Sequence, residues 1–146
     1  MRSVDLYTLA PARGDGPRTL VRRGEREPGI AVDGAVLEAQ FALSDGSALV
    51  WLTDDSPHEE GLHVYLLGPD GAVRDAVAAA AAWAAGIVAI RSTGDGWAEF
   101  EFFRNGSIYR LDVEPTPGVR LRLPRGWRYK SLLRTHWLVV RQVSGG

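Results

Sequence analysis

The 146-residue chain reads as an all-β, mostly antiparallel fold, a sandwich or barrel built from hairpins and a meander with at most one short helix. Three observations carry that expectation. Apolar and polar residues alternate with period two over several short runs, as half-buried strands require. Turn sequences, Asp45-Gly46, Pro69-Asp70-Gly71 and Asn105-Gly106, fall between these runs, and each has a backbone reason to reverse the chain. No helical segments long enough for crossovers alternate with the strands, which argues against a doubly wound α/β fold.

Taken in order, residues 2–9 set Val4 and Leu6 among polar neighbours and predict a first strand. Residues 10–29 contain Pro11, Gly14, Gly16, Pro17, Gly24, Pro28 and Gly29, so a loop is expected in which only residues 19–22 can pair. The string Arg13-Gly14-Asp15 in that loop is read as coincidence. Residues 36–43 alternate, Asp45-Gly46 turns the chain, and residues 48–53 return as a hairpin. Residues 62–67 and 72–77 flank Pro69-Asp70-Gly71 as a second hairpin.

The Ala-rich residues 76–85 have helix propensity, with Asp75 near the start, Gly86 to end them and Trp83 as the anchor that so short a helix would need. Residues 87–91, 97–103 and 108–113 predict a meander. It places Ala98, Phe100 and Phe102 on one face and Trp97, Glu99, Glu101 and Phe103 on the other. Pro115 and Pro117 predict a break, after which residues 119–123 form a one-sided strand with Arg120 and Arg122 on one face. Residues 127–133 show no decided pattern, and residues 136–143 read as the last strand.

The densest group of ionisable side chains lies between two of these strands. Ser56-Pro57-His58-Glu59 matches a capping box with Pro at the first helical position, so one helical turn is expected at residues 57–60, ended by Gly61. Asp54, Asp55, His58, Glu59, Glu60 and His63 then share a loop and form the candidate ligand site. A solvated loop over strand ends is the plain reading. A zinc-protease motif needs two His four apart, whereas His58 and His63 are five apart, about 140° around a helix. Loop carboxylates can converge on a hard cation, but nothing in this spacing selects one, so neither metal nor cofactor is assigned. No Gly-rich phosphate loop and no nucleophile elbow occur, and His136, inside an apolar run, reads as a hydrogen-bonded core or edge histidine.

A chain of this length is expected to form one β-rich domain over residues 1–146, burying about 70% of its unfolded surface. The absence of Cys excludes thiol catalysis, zinc-thiolate sites and disulfides. No apolar signal region follows Met1, and residues 76–90 are too weakly hydrophobic for a span, so a soluble cytoplasmic protein without a membrane partner is expected.

The net charge of −1 hides a segregation: +2 over residues 1–30, −8 over 31–75, −2 over 76–114 and +7 over 115–146. The basic end interleaves Arg120, Arg122, Arg125, Arg128 and Lys130 with Trp127 and Tyr129, and continues to Arg134, Trp137 and Arg141. Arginine beside stacking aromatics is how small β-folds hold single-stranded nucleic acid. The −8 segment and a pI near 6.3 oppose that partner. The basic charges are therefore expected to be used within the protein or a homo-oligomer. The function expected is a binding or interaction domain without catalysis, its partner a protein or small ligand. A small acid- or metal-dependent hydrolase centred on Asp54 to His63 comes second, and nucleic-acid binding third.

Overall fold

The computed structural model of the chain describes residues 1–12, 14–25, 29–54, 59–82, 88–102, 106–119, 122–130 and 135–144, with the backbone alone at 59, 60, 81 and 82. Its strands are β1 (Arg2–Ser3), β2 (Tyr7–Ala10), β3 (Arg18–Arg22), β4 (Ile30–Val32), β5 (Val36–Ala42), β6 (Ala48–Thr53), β7 (Glu59–Leu67), β8 (Val73–Ala82), β9 (Ala89–Gly94), β10 (Trp97–Glu101), β11 (Ile108–Gly118), β12 (Trp127–Tyr129) and β13 (His136–Ser144). They form a six-stranded sheet in the order β1-β5-β6-β7-β8-β12, a four-stranded sheet β13-β11-β10-β9 and a three-stranded sheet β2-β3-β4. All pairings are antiparallel, and the sheets stack in sandwich fashion without closing into a barrel.

The six-stranded sheet is the middle layer, and β6 shows why. All six of its residues are buried, because each face of the sheet is covered by another sheet. Leu49 and Trp51 join Leu62, Val64 and Leu66 of β7 and Phe100, Leu111 and Leu138 of the four-stranded sheet in the larger core. Ala48, Val50 and Leu52 face the other way and meet Tyr65, Leu67, Tyr7, Leu20 and Val32 under the three-stranded sheet. Trp51 packs edge-on against Phe100 at 4.9 Å and 74°, the arrangement that the ring quadrupoles favour. Of the two faces expected for this strand, the one carrying Ala98, Phe100 and Phe102 turns inward and is fully buried.

Several expectations are corrected. The Ala-rich segment is not helical: residues 73–82 form β8, and the proposed helix end, with Trp83 and Gly86, lies outside the described residues. That strand pairs on both sides, with β7 and β12, so its backbone groups are taken up by ladders rather than by a helix. The predicted first strand is split into β1 and β2, which belong to different sheets. β4, which pairs with β3 to complete the third layer, was not foreseen. Pro115 and Pro117 interrupt only the ladder to β13, where the register jumps between Val113 and Gly118, while the chain stays extended through Gly118. A residue without N–H can end pairing without ending extension. The strand expected at 119–123 is absent at Val119, Arg122 and Leu123, and Arg120 lies outside the described residues.

Candidate functional site

The acidic segment is less of a loop than its composition suggests. Glu59, Glu60 and Gly61 belong to β7, so no helical turn ends at Gly61; Asp55 and His58 lie outside the described residues, as do the side chains of Glu59 and Glu60. Gly61 serves a different purpose. It faces the end of β6, where Asp54 N–H donates to the Gly61 carbonyl at 3.0 Å. A Cβ at position 61 would collide with Asp54 Oδ2. The missing side chain lets the Asp54 carboxylate lie across β7 and reach His63, two residues further along the same face.

His63 is buried and links two oppositely charged groups. Its Nε2 lies 3.0 Å from Asp54 Oδ1 and its Nδ1 2.9 Å from Lys130 Nζ. An ammonium can only donate, so Nδ1 accepts, the ring proton sits on Nε2, and Nε2–H donates to the carboxylate. Burial, and then the Lys130 charge, hold the His63 pKa below its ordinary value, against a smaller opposing pull from Asp54. Lys130 also pairs with Asp33 and stands 5.4 Å from the centre of the Tyr65 ring. The Tyr65 hydroxyl accepts a hydrogen bond from the Asp33 N–H at 2.9 Å. The Lys130 hydrogen bond lowers the pKa of Asp33. The series Asp33, Lys130, His63, Asp54 thus ties the residue after β4 of the three-stranded sheet to β7 and to the residues after β12 and β6 of the middle sheet.

The structure therefore brings Asp54 and His63 together, and joins to them one member of the basic candidate set, Lys130. The others separate. Trp127 is buried in the larger core, and Tyr129 stacks on His136 at 3.6 Å with its hydroxyl donating to the Leu138 carbonyl at 2.8 Å. Neither ring is presented as a stacking platform. Arg122, Arg125 and Arg128 are exposed and form no ion pair among the described residues. His136 is a buried histidine, its Nδ1–H donating to Asp75 Oδ1 at 3.0 Å. The other oxygen of Asp75 accepts the N–H groups of Trp137 and Leu138 at 2.8 and 2.9 Å, so this carboxylate clasps β8 to β13 across two sheets. Among the described residues no group of three or more His, Asp or Glu side chains is placed to hold a metal ion.

Sequence reasoning missed a second region, at the end of the sandwich where the hairpin turns meet. A cleft of about 390 Å³ opens between the two larger sheets, with Leu43, Leu66, Val113, Pro115 and Trp137 as its apolar walls. Its charged members are Asp45, Arg74, Asp95 and Glu114. Arg74 is the extra residue of a β-bulge, since Leu66 pairs with Asp75 and Leu67 with Val73. Such a residue leaves the ladder and can be re-aimed. Its guanidinium donates to Asp45 at 3.2 Å and lies 5.3 Å from the centre of the Trp137 ring. Hydrogen bonds from Ser47, more than the Arg74 charge, keep the Asp45 pKa below its ordinary value. Asp95 and Glu114 form no ion pair among the described residues. The signal in the chain was an acid on each of three separate turns or breaks, which converge only once the hairpins are stacked.

No protein-family model, no curated protein and no solved structure matches the chain.

Proposed function

We propose that this protein is a binding domain that works without catalysis and takes its ligand in the hairpin-end cleft. The cleft carries the reading. It is concave, has an apolar floor reaching fully buried Leu66, and holds a few convergent polar groups, the composition of a small-molecule site. The hydrolase reading is weaker because both ring nitrogens of His63 are bound within the protein, leaving it no lone pair for a substrate proton. Binding is tested by following backbone amide resonances while a fragment set of mixed charge is titrated into the wild type and into Val113→Trp, which fills the cleft. The expected result is saturable shifts around residues 43–47, 95–96 and 113–115 that vanish in the variant. Hits clustered elsewhere, or ester or phosphoester turnover abolished by His63→Gln, would reject this reading.

A further inference from the structure

We propose that the cleft is selective for a small organic cation, a primary alkylammonium on an apolar stem. This rests on the binding reading above and adds the chemical class of the ligand. Three carboxylates, Asp45, Asp95 and Glu114, line the cleft against one cation, Arg74. Arg74 is already committed, through its ion pair to Asp45 and its position over Trp137. Gly68 contributes to that commitment: a Cβ there would come within 2.8 Å of both Arg74 Nε and Asp70 Oδ1, so the glycine leaves room for the guanidinium to lie along the turn.

With Asp45 neutralised, Asp95 and Glu114 leave the mouth of the cleft negative beside its apolar walls. Asp95 sits on the turn between β9 and β10, and Glu114 on the stretch of β11 where the ladder to β13 is broken. The two are held close in the fold by the Val113 N–H, which donates to the Gly96 carbonyl at 2.8 Å. An anion would meet two carboxylates that form no ion pair among the described residues before reaching an occupied arginine. An ammonium meets two acceptors, and its methylene stem covers Leu43, Leu66, Val113 and Pro115. Walls of low dielectric concentrate the field of the two acids on that position.

The test is calorimetric titration at low salt with 1,5-diaminopentane, with pentane-1,5-diol as neutral isostere, glutarate as anion, and a lysine-containing blocked tripeptide. The diamine is expected to bind saturably. Its affinity should fall about tenfold in Asp95→Asn/Glu114→Gln, corresponding to the ~1.4 kcal/mol of a lost charge-assisted contact. Both substituted side chains are outside the core, so an unchanged melting temperature certifies the variant. Saturable binding of the diol or glutarate in the cleft with none of the diamine would overturn the cation assignment while sparing the binding reading. Tighter binding of the tripeptide than of the diamine would overturn the small-molecule assignment. Diamine affinity unchanged in the double variant would overturn the roles of Asp95 and Glu114. Binding of no probe would reject both the inference and the cleft as a ligand site.

Discussion

Any side chain at position 61 would stand where the Asp54 carboxylate crosses β7, so Gly61→Ala must push that carboxylate away from His63. The predicted loss is about 1–3 kcal/mol, the range for a buried polar group left without its partner, measured by chemical denaturation. A variant as stable as the wild type would show that the Asp54 contact is dispensable. The same network predicts a pH dependence. The folded His63 pKa lies below the unfolded value of about 6.5, so on acidification the unfolded chain binds the proton first. Stability from this group is complete above about pH 6.5 and is lost as pH falls toward the folded pKa. Asp33, also depressed, acts with the same sign below about pH 3.9. Melting temperature should therefore decline from pH 7.5 to 5.5, and the decline should be shallower in His63→Gln. Parallel profiles for the two proteins would exclude His63 as the titrating group.

At the scale of elements, the hairpin β5–β6 and the alternation along β10 were legible because local pattern and tertiary burial agree there. β8 was not. Its alanines favour a helix in isolation, and strand preference depends on what the side chains pack against, here two neighbouring strands that no local window contains. The Asp75 clasp was hidden for a similar reason, since its partners are 61 to 63 residues away. Of the candidate site, Asp54 and His63 were found from composition, but their tie to Lys130 spans 67 residues and left no local trace. Asp75 has a fully buried side chain that accepts from β13 through both oxygens. Asp75→Asn replaces an acceptor with a donor facing N–H groups, so it should cost about 2–4 kcal/mol and loosen β13 from β8. Hydrogen exchange should then rise selectively at Trp137 and Leu138; uniform exchange with unchanged stability would show that the clasp does not join the sheets.

For the molecule as a whole, the question is where the +7 of residues 115–146 acts. Lys130 turns inward to Asp33 and His63, so one basic charge of this stretch meets the acidic segment. Arg122, Arg125 and Arg128 face solvent. Three exposed arginines attract phosphate, but Trp127 and Tyr129 are packed inward, so the stacking that would make single-stranded nucleic acid bind through its bases is missing. Phosphate attraction alone gives weak, salt-sensitive association, with an observed affinity that falls steeply as counterions cease to be released. Fluorescence anisotropy with a labelled single-stranded oligonucleotide should accordingly show only weak binding at low salt that disappears near physiological ionic strength. Arg122→Ala/Arg125→Ala/Arg128→Ala should remove what little there is without changing the melting temperature. Micromolar binding that persists at physiological salt and depends on these arginines would move nucleic-acid recognition ahead of the cleft.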